Sequence, residues 1–467
     1  MKNIGIAQKI IKVVRSIYGQ ATARVRSAQG LTKEIKIKKG VLQGETLSPN
    51  LFCVYLNDFI EVIKLVMWSP IQIAGRKIVA LMYADDLVLL AANPYELKRQ
   101  LKGLEEYAKS NKMKVNIDKT KILIFRRAGR LRKCDTFFYL GQRVEIVNKY
   151  TYLGVPFSSS GTFQKAHVHF KTKGLAAVGA TLAIIGRFRL FKFESYKRIF
   201  KSLVTSTATY GCTVWGGQSG NEIEKVQMSF YKKLLGLPKT TPNYFVRLEL
   251  GLEHTQVLII RRQLKFLVRI LTNPRLVLAR DCLFLINSSG SLDIQYNWVQ
   301  QLRVALDLVS QGWILDGLDP AIIARNSVDT LEKLGNFYRA QDSTRAEKSS
   351  LIPCYHKTSE IGEPEKYLLL HMNKVFTRCA VSLRLNPKFL KVGDNFISIH
   401  EEPFPQCKFC PEQIVPLVHI LSCKSKSDNT CLQNVGDDYA CVSSDLDTSA
   451  YKAIYLKCKN WISDYVN

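Results

Sequence analysis

Hydrophobic positions in the N-terminal part of the chain switch repeatedly between the helical period and the strand period. Ile4, Ile6, Ile10, Ile11, Val14 and Ile17 line one face of a helix over residues 1–20, ended by Gly19. Alternation in Ala23-Arg24-Val25-Arg26 and Glu34-Ile35-Lys36-Ile37-Lys38 predicts a two-stranded ribbon turning near Gln29-Gly30. A glycine-bracketed loop follows, Gly40-Val41-Leu42-Gln43-Gly44-Glu45-Thr46-Leu47-Ser48-Pro49. Leu51, Phe52, Val54, Tyr55, Leu56, Phe59 and Ile60 then predict a helix, with Ser48 as N-cap and Pro49 as its first residue. Two short apolar runs, 78–82 and 87–91, flank Tyr83-Ala84-Asp85-Asp86 and read as strand, tight turn, strand. Leu97, Leu101, Leu104 and Ala108 place a helix over 94–110. Residues 115–121 and 122–125 read as a strand pair, and Tyr150-Thr151-Tyr152-Leu153-Gly154-Val155 closes this first unit.

After Ser158-Ser159-Ser160-Gly161 the pattern turns helical, over 162–186, 191–209, 220–236 and 255–272, with a second helical stretch over about 295–395. The fold class expected is α+β, followed by all-α regions. No internal repeat or low-complexity segment is evident.

Charge narrows the class of partner. The net charge is +28 over 467 residues; residues 1–200 hold 36 Lys/Arg against 13 Asp/Glu (+23), and the remainder only +5. Such a balance points to a polyanion, because Lys and Arg supply the sequence-independent part of nucleic-acid affinity. The basic residues are spread over many elements rather than along one amphipathic helix, which argues against a membrane surface. Lys2, Lys9 and Lys12 interrupt the apolar N-terminus, so it does not read as a signal peptide, and residues 174–186 are too short and too Gly/Ala-rich to span a bilayer. With twelve cysteines, the expectation is an intracellular protein with reduced thiols, in nucleus or cytoplasm.

Two clusters carry chemistry. Asp85 and Asp86 at a hairpin tip repel each other unless a cation neutralises them, and a divalent metal suits two carboxylates. Taken alone, the tetrapeptide reads equally as a solvated turn. Cys407, Cys410, His419 and Cys423 have the spacing C-x2-C-x8-H-x3-C, which suits a structural, four-ligand Zn²⁺ knuckle. Its alternative is free cysteines beside a surface histidine, and His400 competes with His419 as a ligand.

The order of these motifs, together with Asn116-x-x-Lys119-Thr120 and Tyr152-Leu153-Gly154, resembles the palm of reverse transcriptases from LINE-type (non-LTR) retrotransposons. The resemblance is close through 1–156. Tyr210-Gly211-Cys212-Thr213-Val214-Trp215-Gly216 and Leu235-Gly236-Leu237-Pro238 are similar to thumb helices of such elements, and the knuckle to one near their C-terminus. The resemblance implies a partial right-hand palm at 1–156, a thumb-like helical domain at 157–275, a helical region of unknown role at 276–395, a zinc knuckle at 396–430 and a tail at 431–467. It makes Asp85 and Asp86 ligands of catalytic Mg²⁺ (or Mn²⁺), Asp85 the more direct, with Lys119 assisting the leaving pyrophosphate. Gly40, Gln43, Gly44 and Tyr83 would meet template and incoming nucleotide, and Tyr152, Leu153 and Gly154 would grip the primer. The implied partners are an RNA template, a DNA primer and deoxynucleotide triphosphates, with no membrane. Trp215 and Tyr210 are expected in the thumb core. Polymerases of this type use a further aspartate on an upstream strand, and no residue here matches it; Asp58 is on the wrong element. Polymerase activity is therefore expected to be absent from this polypeptide alone, leaving a non-catalytic nucleic-acid-binding remnant as the alternative.

Overall fold

The computed structural model describes residues 1, 4–37, 40–66, 70–126, 136–187, 192–289, 293–352, 355, 360–369, 374–385, 389–392 and 395–398. The chain divides into two compact units, the second beginning at Lys149.

In the first unit, α1 (Gln8–Gly19) ends on the expected glycine. Strands β1 (Thr22–Ala23) and β4 (Ile35–Lys36) pair antiparallel around β2 (Arg26–Ser27) and β3 (Gly30–Leu31), which form the anticipated ribbon. The single helix expected after the glycine loop is two, α2 (Ser48–Tyr55) and α3 (Phe59–Val66), with Asp58 in the turn between them. Ser48 is the first helical residue and not the cap. Its hydroxyl lies 3.0 Å from the Tyr18 hydroxyl and 3.2 Å from Glu45 Oε2, so it serves the preceding loop.

Hairpins β5 (Ile71–Ile73) with β6 (Arg76–Ile78) and β7 (Ala80–Tyr83) with β8 (Asp86–Leu89) follow. Helix α4 (Pro94–Ser110) starts where Asn93 Oδ1 accepts the Glu96 N–H at 2.9 Å and Pro94 enters the first turn. Strand β9 (Lys121–Leu123) pairs in parallel with β12 (Glu145–Val147), and β10 (Phe138–Tyr139) with β11 (Gln142–Arg143) forms a hairpin. The strand expected from 115 is a turn. The Asn116 side chain accepts the Lys119 N–H at 3.2 Å, and its carbonyl takes the Thr120 hydroxyl at 2.8 Å. Asn thus offers the backbone a local alternative to a ladder.

The core of this unit joins Phe59 and Ile63 of α3 to Leu101, Leu104 and Tyr107 of α4. A Cβ on Gly103 would lie 2.9 Å from Val66 Cγ2, so glycine is what lets the two helices approach.

The second unit opens with the hairpin β13 (Lys149–Tyr152) and β14 (Val155–Ser158). Helix α5 (Gln164–Ile185) follows, then α6 (Phe193–Ile199), which runs through a π-helical turn, Phe200–Thr205, into α7 (Ser206–Ala208). Next come α8 (Cys212–Trp215), α9 (Gly220–Leu235), α10 (Asn243–Leu250), α11 (Thr255–Thr272) and α12 (Val277–Ser288). The series ends with α13 (Trp298–Asp307), α14 (Pro320–Glu347), α15 (Lys366–Leu369) and α16 (Lys374–Leu385). The helical run expected to 395 gives way to a β-hairpin, β15 (Phe389–Val392) with β16 (Asn395–Ser398). Phe389, Val392, Phe396 and Ile397 are β-branched or aromatic and favour these strands.

By length and apolar composition α5 is long enough to cross a membrane. Its buried stripe, which includes Ala166, Phe170, Gly174 and Val178, packs within the protein: a Cβ on Gly174 would meet Ala208 Cβ and Val226 Cγ1 at 2.9 Å.

Helix α10 carries two buried charges of opposite sign. Arg247 donates to Asp342 Oδ2 from Nε at 2.7 Å and to Glu224 Oε1 from Nη1 at 2.8 Å. Glu249 is fully buried and accepts from Tyr367 Oη and Arg384 Nε, each at 2.6 Å, and from Tyr355 Oη at 3.0 Å. Burial opposes the charge on Arg384, but Glu249 outweighs it and holds the guanidinium pKa above its ordinary value.

Nearby, the buried Lys232 ammonium donates to the Lys239 carbonyl at 3.1 Å and to Asn243 Oδ1 at 2.7 Å. Burial, and then the Arg247 charge, push its pKa down to about 8. An unfolded lysine keeps its proton to about pH 10.4, so between about pH 8 and 10 the unfolded state binds the extra proton at this site and the Lys232 contribution to stability rises with pH, against the opposite trend of the Cys212 thiol, whose pKa burial raises. The Lys232 contribution expected to be gained from about pH 8 to 9.5 is about 1–2 kcal/mol, read as a widening difference in urea midpoint between the wild type and Lys232→Met. Above about pH 10 the trend reverses, because burial pushes the Tyr231 pKa up and the unfolded chain ionises first.

Candidate active site

In the β7–β8 hairpin Tyr83 pairs with Asp86 and Ala80 with Leu89, which leaves Ala84-Asp85 as a two-residue loop. Ala84 has φ +52°, a left-handed conformation that this tight, mirror-image turn requires. Asp85 therefore sits at the tip and Asp86 opens the returning strand. Both are exposed, and among the described residues neither carboxylate forms an ion pair or a hydrogen bond. Below the tip the hairpin is fixed: Leu87 and Leu89 pack on the core, the Leu90 N–H donates to the Val79 carbonyl at 2.9 Å, and Gln100 Nε2 donates to the Leu90 carbonyl at 2.7 Å. Tyr83 is 64% exposed beside the pair. A left-handed alanine costs about 1 kcal/mol, so Ala84→Gly is expected to raise stability by up to that amount, read by thermal denaturation.

The glycine loop turns through Gly40 (φ +85°) and Gly44 (φ +90°), conformations that favour glycine, with Gln43 exposed between them. The loop is tied to α1 because the Tyr18 hydroxyl donates to Glu45 Oε2 at 2.6 Å. Tyr18 has no local signal in the sequence that marks this role. Lys119 lies exposed at the end of the Asn116 turn.

Tyr152, Leu153 and Gly154 belong to the second unit. Leu153 (φ +47°) and Gly154 (φ +80°) form the tip of β13–β14, and the Tyr210 hydroxyl donates to the Leu153 carbonyl at 3.2 Å. Trp215 is core as expected, stacked on Phe170 with ring centroids 4.6 Å apart. Tyr210 is not: it is 54% exposed, since its hydroxyl is engaged at the surface tip.

Cys407, Cys410, His419, Cys423 and His400 lie outside the described residues. Among the described residues no group of three or more His, Cys, Asp and Glu is placed to hold a metal. The Asp85-Asp86 donor set itself fits Mg²⁺, which takes one or two carboxylates and completes its shell with substrate phosphates and water. Asp58 is otherwise committed, accepting the Tyr107 hydroxyl at 2.5 Å.

A glycine loop, a fixed carboxylate hairpin and a strongly basic chain suit a domain that handles a polyanion with a divalent metal. Residues 1–157 match the family model described as reverse transcriptase (RNA-dependent DNA polymerase), and this part of the chain is a reverse transcriptase domain of the LINE-type, non-LTR kind. The chain is 27% identical over 218 residues to the retrovirus-related Pol polyprotein from type-1 retrotransposable element R2 of Popillia japonica, covering 45% of this chain and 36% of that protein. It is 24% identical over 230 residues to the RNA-directed DNA polymerase from mobile element jockey of Drosophila melanogaster, covering 48% of this chain and 24% of that one. The probable RNA-directed DNA polymerase from transposon X-element of the same fly is 22% identical over 210 residues, covering 44% and 22%. The match thus spans only about a quarter to a third of these relatives' own length.

Proposed function

We propose that the chain carries the metal-binding hairpin of an RNA-directed DNA polymerase that extends a DNA primer on an RNA template. The observation that carries this is the pair of exposed, unpaired carboxylates at a fixed tip within the segment that matches the reverse transcriptase family. In this reading Asp85 and Asp86 hold Mg²⁺ (or Mn²⁺), which when bound steadies the attacking 3′-hydroxyl and the leaving pyrophosphate oxygens. Gly40 and Gly44 let backbone approach the template and the incoming deoxynucleotide triphosphate, with Gln43 and Tyr83 beside them. Lys119 assists the leaving pyrophosphate. Tyr152, Leu153 and Gly154 form the primer grip of a palm, and the helices after it the thumb. Cys407, Cys410, His419 and Cys423 hold a structural Zn²⁺. The protein works inside the cell, in nucleus or cytoplasm.

A second reading, a nucleic-acid-binding relic without catalysis, is favoured by the net charge of +28 and by a carboxylate site that numbers only two among the described residues. Templated incorporation of dTTP on poly(rA)/oligo(dT) with Mg²⁺ separates the readings. For this 467-residue polypeptide, tight template–primer binding with little extension is the expected outcome. Extension that is lost in Asp85→Ala establishes the enzyme reading, and the absence of both binding and extension overturns both.

A further inference from the structure

Residues 1–57 hold ten Lys or Arg against two carboxylates, Glu34 and Glu45. Glu34 meets the Arg24 guanidinium at 3.2 Å. Glu45, next to Gly44 and the one charged residue in 40–57, pairs with no cation among the described residues. Two neutral hydroxyls hold it instead. Tyr18 Oη donates to Glu45 Oε2 at 2.6 Å, the short length of a charge-assisted bond, and Ser48 Oγ donates to the same oxygen at 3.2 Å. The last turn of α1, the glycine loop and the first turn of α2 therefore meet at one carboxylate oxygen. Little else restrains the loop there: Val41, Gln43, Gly44 and Thr46 are exposed, and the Glu45 N–H reaches the Leu42 carbonyl at 3.4 Å.

Glu45 thus stands in the loop that meets the incoming triphosphate in the polymerase reading, where a free carboxylate repels phosphate. We propose that Tyr18 is a positioning residue for nucleotide binding: with Ser48 it draws the Glu45 carboxylate back against α1 and α2, so that the triphosphate meets Gly40 and Gly44 without a facing negative charge. The inference rests on the polymerase reading above and adds Tyr18, Glu45 and Ser48 to it. A lysine or arginine tied to Glu45 would mask the carboxylate too, but it would take positive charge away from a site for a polyanion. A hydroxyl leaves the charge balance of the segment as it is. With the Tyr18 hydroxyl removed, the carboxylate keeps the longer Ser48 contact alone and turns out beside Gly44.

The test is equilibrium dialysis of tritiated dTTP with Mg²⁺ against the full chain on poly(rA)/oligo(dT), the primer ended in a dideoxynucleotide so that nothing is incorporated. Tyr18→Phe is expected to weaken dTTP binding about three- to tenfold at low salt, the effect of one charge brought within about 6–8 Å of the phosphates. Raising KCl to about 0.5 M should shrink that loss to about twofold, because salt screens exposed charges. Ser48→Ala, which removes the longer contact, loses less. Glu45→Gln binds at least as tightly as the wild type, and Tyr18→Phe/Glu45→Gln returns to within about twofold of it. Tyr55→Phe on α2, the same change at a hydroxyl that serves the Asn111 carbonyl, leaves binding unchanged. A double variant as weak as Tyr18→Phe, or a loss that salt does not reduce, shows that the hydroxyl only shapes the loop and overturns the inference. So does unchanged binding in Tyr18→Phe. A wild-type chain that holds the duplex but no dTTP removes the polymerase reading itself, whereas dTTP binding that ignores Tyr18 and Glu45 removes only this inference.

Discussion

Glu249→Ala is expected to destabilise the second unit by about 3–5 kcal/mol, lowering its melting temperature by roughly 10 °C. The carboxylate is fully buried, and its removal leaves the Arg384 guanidinium, whose side chain is 4% exposed, with the longer 3.6 Å pairing to Glu365, and strands the hydroxyls of Tyr355 and Tyr367. The penalty is that of a buried cation left with its weaker partner, Glu365, more than the loss of an attractive pair. A double variant, Glu249→Leu/Arg384→Met, should therefore recover part of the loss, the remainder reflecting buried Glu365, which then loses Arg384. Calorimetry of Glu249→Leu, Arg384→Met and the double closes the cycle, and a double variant as unstable as the sum of those singles would refute this account. The same corner explains a steric expectation: Gly251, at φ +58°, would place a Cβ 2.5 Å from the Glu363 carbonyl carbon, so Gly251→Ala should lose about 2 kcal/mol or more in the same assay.

The second large effect concerns the metal. Asp85→Asn and Asp86→Asn are each expected to weaken Mn²⁺ binding at least about tenfold, equivalent to about 1.4 kcal/mol, and the double variant to abolish it, as read by electron paramagnetic resonance titration. Thermal stability should hardly change, because both side chains are exposed and unpaired. Asp58→Asn should behave in the opposite way. It weakens the hydrogen bond from the buried Tyr107 hydroxyl and lowers stability without touching Mn²⁺ affinity. Mn²⁺ binding that survives the double variant would place the metal elsewhere.

Much of this was legible because the signals are local. Asn93-Pro94 announces α4, and Gly236 ends α9 in a left-handed cap at φ +74°. The hairpin tips are flanked by apolar runs of strand length. Asn116 misled because its alternating surroundings hide a side chain that competes for the backbone. Tyr210 misled because an aromatic with a hydroxyl is satisfied at a surface where that hydroxyl finds a carbonyl. The Arg247–Asp342 and Glu249–Arg384 pairs join positions 95 and 135 apart, and no window of sequence marks such partners.

Those separations also govern how the protein is made. When α10 leaves the ribosome, Arg247 has Glu224 behind it, but Asp342 and Arg384 are still to be added. At about 5–20 residues per second, the 135 residues from Glu249 to Arg384 take on the order of ten seconds. For that interval a nascent chain holds two charges that belong in a core with most of their partners unmade, and α10 has to remain in water. The centre of the second unit is therefore one of the last parts to close, and chaperones that recognise exposed apolar segments have their longest access there.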